Sequence, residues 1–569
     1  MKTEKKYFNL VCLFIFLIFC YFFNSWFFAN ETELYACDYV EQNMFFVDYA
    51  SSFFVSPIET LKELFSAVYH SNRSPFLCLF LIPFYPIFDN SRFSFVFLNE
   101  VIFMLPVFLI SFYILWKYIL NESSQKSFLV KLMFCSSIFL FPLFWTPILN
   151  GIPDICGLPF VLFAFILYFK NKLDSKTSIK VLFLMSLCLY FSFLMRRWYS
   201  VAIFAFFLSV FLENLILSVS SFAKKDDFLK KIAYTVLNLS VIAIFITVFA
   251  FIFQGGYVKS IVQSELQERV MYLVSYNQLH SLFIENIGFI GIIFLISGLL
   301  FFIKNSNVRF IFFNGFFYLY AFIVLMNNQF LWINHYLFFA ACFIILFSLG
   351  CYSISSVIKN GIVKNIFLVL VILFNCYNFS SSFITEQPKH FDFLFSNIDR
   401  HPIKNQNYEK VLDLHKFLND EYEKNNDIAI AQYGLNTSIG YYQFRGIDFS
   451  NDFVKKTFLS ETIFDAEFNA LEINADYVIL LDPLGLFADE AYSRILIDTA
   501  KQFNTGVGIA KNYELVKEFS LDDDDDETRV KLFKIKEKLS KSQIEEYLTP
   551  FFEYYPELKN REDITALYE

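Results

Sequence analysis

The side chains in this chain that are able to do chemistry gather in four groups, each beside a long apolar run. Glu31, Glu33, Asp38, Glu41 and Asp48 come directly after the first run, in a stretch that later reads His70-Ser71-Asn72-Arg73-Ser74-Pro75. Asp154 follows Thr146-Pro147-Ile148-Leu149-Asn150-Gly151-Ile152-Pro153 and immediately precedes another run. Arg196 and Arg197 close a run and are followed by Trp198 and Tyr199. Asn327, Asn328, Gln329, Trp332, Asn334, His335 and Tyr336 form the fourth group. Charged groups at membrane depth or at its mouth are costly, so these are the places to look for function. A carboxylate there can take up a proton, and a guanidinium suits a phosphate because it can hold it with two hydrogen bonds. Plainer roles stand beside these. The acids fit a solvated loop, Asp154 fits a helix N-terminal anion contributing about 0.3–1 kcal/mol, the two arginines fit snorkelling to lipid headgroups, and His335 fits a hydrogen-bonded interfacial residue. The stretch from Gly255 to Asn286, with Lys259, Glu265, Glu268, Arg269, His280 and Glu285, has helical spacing and no motif. No HExxH, GxSxG, Walker loop or GxGxxG is present, so zinc protease, serine hydrolase and ATPase readings lack support.

The elements that must position these groups are membrane spans. Of 569 residues, 56% are apolar and 18% charged, 81 are Phe, and the mean hydropathy is +0.47. An average soluble chain carries about 25% charged residues. The apolar residues fall in runs near twenty long, enough to cross a hydrocarbon core of about 30 Å. Runs at 7–28, 95–119, 127–147, 155–170, 179–195, 199–222, 231–254, 286–303, 308–326, 336–357 and 365–383 predict about eleven spans, the first an uncleaved helix. Every second loop is basic, beginning with Lys2, Lys5 and Lys6, which puts the N-terminus in the cytoplasm and all four polar groups outside. Residues 30–94 are then the first outward loop. Within it Pro75 to Phe88 is apolar but short and broken by Pro83 and Pro86, and it reads as an interfacial or re-entrant segment.

Charge separates a second part. From Thr385 to Glu569 there are 21 Lys+Arg and 36 Asp+Glu, a net of −15, which leaves +6 for the remainder of a chain whose total is −9. With no basic stripe, nucleic acid is not a partner. The tail alternates helical spacing (407–423, 464–473, 489–503) with strand-like runs (427–431, 476–481) and a hairpin (514–521 with 530–535). Its acidic run, Asp522 to Glu527, reads as a solvated turn lacking the ligand spacing of a calcium loop. All ten cysteines lie between Cys12 and Cys376 without a CxxC pair, and they read as structural thiols. The expectation is an α-helical polytopic membrane protein, with residues 1–383 as the spanning module and 384–569 as an extracytoplasmic α/β domain.

The order of features resembles the GT-C glycosyltransferases. It is most similar to the family 39 group, which includes protein O-mannosyltransferases and the bacterial aminoarabinose transferases acting on lipid A. The resemblance rests on a first span followed by an outward loop with an early Asp, on His70 to Phe76 leading into Pro-broken apolar sequence, and on Asp154 before the fourth span. Asn474-Ala475-Asp476-Tyr477-Val478-Ile479-Leu480 resembles a strand of the outer domain in bacterial members. The paired acids usual in the first loop are absent: Tyr39 follows Asp38, and Glu41 comes three positions on. The resemblance implies inverting sugar transfer from a polyprenyl-phosphate-linked donor to a lipid, glycan or protein acceptor, with no metal or cofactor. Asp38 is the implied general base, with Glu41 or Glu33 able to substitute, and Asp154 supports the base or orients the acceptor. Arg196 or Arg197 stabilises the leaving phosphate, His335 and Tyr336 bind phosphate or sugar, and His70 and Arg73 belong to the substrate loop. Composition leans toward a bacterial inner membrane. Two other readings compete. A secondary transporter calls for inverted repeats that are not found. An O-antigen polymerase or ligase concentrates its active residues in one late outward loop, whereas the acids here come early.

Overall fold

The computed structural model describes the chain except residues 1, 36–37, 71–73, 89–90, 121–126, 220–224, 264–284, 329–334, 386–392, 435, 437, 450–452, 463–468, 487–489, 491–492, 523–526, 562–563 and 565–569. Two compact units emerge: Met1–Ala29 with Phe45–Pro402, and Asn30–Met44 with Ile403–Glu569.

In the first unit, every run expected to span is helical. These helices are α1 (Lys2–Ala29), α4 (Arg92–Ile119), α5 (Phe128–Leu149), α6 (Pro153–Asn171), α7 (Ile179–Met195), α8 (Arg197–Val219), α9 (Lys225–Gln263), α10 (Phe289–Asn305), α11 (Val308–Asn328), α12 (Leu337–Val357) and α13 (Gly361–Phe383). Among the described residues eight are long and apolar enough to cross a membrane, while α7, α10 and the apolar part of α1 (Leu13–Ala29) are shorter. The first outward loop is largely helical, with α2 (Asp38–Val55) and α3 (Pro57–His70). Pro57 sits at the first position of α3, where a missing N–H costs nothing, and Thr60, Leu64 and Val68 form one buried stripe at fourfold spacing. Pro75–Leu77, Cys78–Leu81 and Ile82–Phe84 are three short turns rather than a span.

Two devices hold the spans together. Phenylalanine supplies edge-to-face ring packing: Trp145 is fully buried, with Phe19, Phe23 and Phe379 edge-on at 5.7, 5.4 and 5.2 Å between ring centres. Its indole N–H donates to the Phe139 carbonyl at 2.8 Å, an oxygen left without a helical partner where α5 breaks before Pro142. Small residues supply close approach. A Cβ on Gly298 of α10 would lie 1.8 Å from the Leu346 carbonyl oxygen of α12, and one on Gly350 of α12 would lie 1.8 Å from the Phe294 carbonyl oxygen of α10.

The second unit is a three-layer α/β fold. Its strands β1 (Ile430–Tyr433), β2 (Phe458–Thr462), β3 (Tyr477–Asp482), β4 (Tyr513–Asp522) and β5 (Glu527–Ile535) are ordered β2-β1-β3-β5-β4. β2, β1 and β3 are parallel, and β5 and β4 continue the sheet antiparallel. β3 alternates between two cores. Tyr477, Ile479 and Leu481 face one with Val411, Leu414 and Leu418 of α14 (Tyr408–Lys424), and Val478 and Leu480 face the other with Ile495, Leu496 and Phe503. The hairpin and the helix over 407–423 fall where expected; β2 was not foreseen. Of the acidic run, Asp523 to Asp526 lie outside the described residues.

Candidate active site

Asp154 lies on a short 3-10 turn, Pro153–Gly157, that opens α6. It is fully buried, and its carboxylate is ion-paired with Arg196 Nε from the end of α7. The Tyr199 hydroxyl donates to the Asp154 backbone carbonyl at 2.7 Å. The turn leaves no room beside it: a Cβ on Gly157 would meet the Tyr199 ring at 2.5 Å. Trp198 stacks on Tyr199 at 4.1 Å and meets the buried His335 ring edge-on at 5.5 Å. Asp154, Arg196 and His335 therefore share one cluster, joined through Trp198 and Tyr199. Tyr336 is buried beside His335 in sequence, just before α12, and Arg197 is exposed at the start of α8.

Two further arginines reach the residues that lead into this turn. Arg92 Nη2, at the start of α4, donates to the Leu149 carbonyl at 3.3 Å. Arg400, just beyond α13 and nearly fully buried, donates from Nε to the Asn150 side-chain oxygen and from Nη1 to the His401 carbonyl at 2.8 Å. Its guanidinium also lies over Phe27 of α1, 5.0 Å from the ring centre. Behind the turn, the Cys156 thiol donates to the Asn99 side-chain oxygen at 3.4 Å. The next residue, Glu100, is fully buried on a π-helical turn of α4, and Asn24 Nδ2 of α1 donates to its Oε2 at 2.7 Å. Residues 149–156 are thus clamped from α4, α7 and α8 and by Arg400, which removes the reorganisation that a mobile loop would need when charge develops nearby.

None of Arg92, Arg400, Asn99 and Glu100 was singled out from sequence. The signals existed: Arg92 and Arg400 flank spans on the side where the loops are not basic, the same anomaly that drew attention to Arg196, and Glu100 is the one acid in its apolar run.

The remaining expected residues belong to the first outward loop and the 255–286 stretch. Asp38 begins α2, and it and Glu41 group with the second unit. On the next turn of α2, Gln42 and Asn43 are buried, and Gln42 Oε1, Asn43 Nδ2 and Asn43 Oδ1 have no hydrogen-bond partner among the described residues. His70 ends α3 exposed, facing α9, where a Cβ on Gly256 would fall 2.6 Å from its Nδ1. Arg73 lies outside the described residues, as do Glu265, Glu268, Arg269 and His280 of the 255–286 stretch.

No family model matches the sequence, and no curated protein does. Among solved structures, the chain is similar to the archaeal oligosaccharyltransferase AglB from Archaeoglobus fulgidus in complex with an inhibitory peptide and a dolichol-phosphate, with 10% identity over 84% of this chain and 69% of that one and a TM-score of 0.45. It is similar to the apo oligosaccharyltransferase of the same organism, with 10% identity over 84% and 70% and a TM-score of 0.46. It is also similar to ArnT from Cupriavidus metallidurans bound to undecaprenyl phosphate, with 9% identity over 92% and 98% and a TM-score of 0.45. With every TM-score below 0.5, these are likenesses of layout, and what the chain does is read from its own residues.

Proposed function

We propose that this chain is a multi-pass membrane glycosyltransferase that moves a sugar, with inversion, from a polyprenyl-phosphate-linked donor to an acceptor outside the cytoplasm. The observation that carries the reading is the convergence of three guanidiniums on one clamped segment: Arg92, Arg196 and Arg400 all reach residues 149–154. Guanidiniums gathered in this way suit a phosphate, which each can hold with two hydrogen bonds.

The roles follow from the chemistry. An acceptor hydroxyl attacks the anomeric carbon, the bond from that carbon to the phosphate oxygen breaks, and the hydroxyl proton passes to a carboxylate. Asp38 takes this proton in our assignment, with Glu41 as the alternative. Arg196, with Arg197 at the rim, meets the charge that develops on the departing phosphate. Asp154 fixes the direction of the Arg196 guanidinium through their ion pair. His335 and Tyr336 line the approach for phosphate or sugar, and the open amides of Gln42 and Asn43 offer the mixed donors and acceptors that sugar hydroxyls need. His70 and Arg73 contact the substrate from the first loop. The C-terminal α/β domain faces outward with this site, the N-terminus is cytoplasmic, and a bacterial inner membrane is the location proposed.

The test is transfer by purified full-length protein supplied with an extract of polyprenyl-phosphate sugars, read as released polyprenyl phosphate. Wild type is expected to release it, and Asp38→Asn to release at least ~100-fold less at equal amounts of inserted protein. Full activity in Asp38→Asn and in Glu41→Gln removes the base assignment, and no release by wild type removes the proposed activity.

A further inference from the structure

The first-loop segment that carries Asp38 is built into the α/β unit rather than left free. The Thr32 N–H donates to the Ile403 carbonyl at 2.8 Å, and the Asn405 N–H donates to the Thr32 hydroxyl oxygen at 3.0 Å. Leu34 is buried in the same core as Val411, Leu414, Phe444 and Ile479. Val40, the third residue of α2, is buried as well, and both its methyl carbons lie close to Gly446 of α15 (Tyr441–Ile447): a Cβ placed on Gly446 would be 3.9 and 4.0 Å from them. A Cβ there would already touch Val40, and a side chain extended in the same direction would press on the start of α2.

We infer that the α/β unit positions the proposed catalytic base, with Leu34 as the anchor and Gly446 as the seat on which Val40, and hence the first turn of α2 bearing Asp38 and Glu41, is set. The inference rests on the proposed transfer activity for its functional consequence, and on the packing alone for its structural one. Residues 30–44 belong to the same compact unit as the C-terminal domain although they precede it by some 360 residues. Val40 and Gly446 touch no substrate in this account; they are positioning residues. A shift of about 1 Å in a reacting group is enough to lower turnover by about 100-fold.

Two measurements on the full-length protein separate the structural claim from the functional one. In Val40→Cys/Gly446→Cys, mild oxidation should give a disulfide-linked peptide pair by mass spectrometry, since the two positions are within disulfide reach; absence of that pair overturns the docking. In the transfer assay, Gly446→Val should lower kcat at least tenfold with donor KM within twofold of wild type, and adding Val40→Ala, which removes about the volume that was added, should recover most of that loss. Wild-type kcat in Gly446→Val, or no recovery in the double variant, overturns the positioning role. If wild type shows no transfer while the disulfide pair forms, the activity reading has failed and the docking has not.

Discussion

Two buried charge clusters sit at opposite ends of α7, separated by its 17 residues, or about 25 Å, and they use the same ingredients to different ends. At the C-terminal end, one carboxylate, Asp154, meets Arg196 on a turn that Arg92 and Arg400 also hold. Beyond the N-terminal end, one guanidinium is shared by two carboxylates: Arg309 Nε lies 3.1 Å from the buried Glu213, and Arg309 Nη2 lies 2.7 Å from Asp174. Tyr168 donates to Glu213, and Asn238 binds the Leu173 and Ser175 carbonyls at 2.9 and 2.8 Å. The second cluster has its cation consumed and ties α6, α8, α9 and α11 together, which is what a structural clasp looks like. In the first, three guanidiniums converge on one short segment. Buried ion pairs are weak evidence of net stabilisation; the convergence of several guanidiniums on one segment, more than the presence of a pair, is what sets the first cluster apart.

The comparison can be broken from either side. Arg309→Ala leaves Glu213 buried without its cation, and the expected result is a loss of about 3–5 kcal/mol in stability, seen as a lowered unfolding midpoint in detergent, with turnover per folded protein unchanged. Arg196→Lys keeps the charge and loses the planar fork, so the reverse is expected: turnover down by about 100-fold and the unfolding midpoint nearly unmoved. If both variants lose stability and keep turnover, the two clusters are both clasps.

The pH dependence of the α/β unit should be separable from both. Burial holds His415 down to about 4 from its ordinary 6.5, reinforced by Lys416 and opposed by Asp448. Because its folded pKa lies below its unfolded one, the unfolded chain takes up a proton first as pH falls. Stability should therefore be full above about 6.5 and decline between 6.5 and 4 by up to about 3 kcal/mol. Thermal unfolding against pH checks this, and His415→Leu should flatten that part of the curve. A smaller effect is expected at the α10–α12 crossing. Gly298→Ala forces a methyl into the Leu346 carbonyl and should cost about 1–3 kcal/mol while sparing transfer per folded molecule, measured by unfolding midpoint and released polyprenyl phosphate together.

Much of this layout was legible in the sequence because a bilayer imposes long apolar runs, and all eleven of those read as spans are helices. Asp154 and Arg196 were also legible, each as a charge where a span ends. Their pairing was not, since it depends on how α6 and α7 are brought together. Arg309 shows the limit more sharply. In the sequence it is one positive charge between two apolar runs, and nothing local points to Glu213 nearly a hundred residues earlier. The place of Asp38 was hidden for another reason. Leu34 and Val40 lie in a short stretch without the periodicity that marks an element, and only the fold reveals that Leu34 joins the core of a domain beginning some 360 residues later and that Val40 packs beside its Gly446. β2 was missed because Phe458–Thr462 has one strongly apolar pair and otherwise polar residues; its partner β1 supplies the reason it is extended.

The central claim is that the cation-rich end of α7 receives a lipid phosphate. Titration of the purified protein with a short-chain polyprenyl monophosphate, followed by intrinsic Trp fluorescence, tests it directly. Saturable binding is expected in wild type, weakened at least tenfold in Arg196→Lys and within twofold of wild type in Arg309→Ala. Equal affinity in wild type and Arg196→Lys, or no saturable binding in wild type, would contradict it.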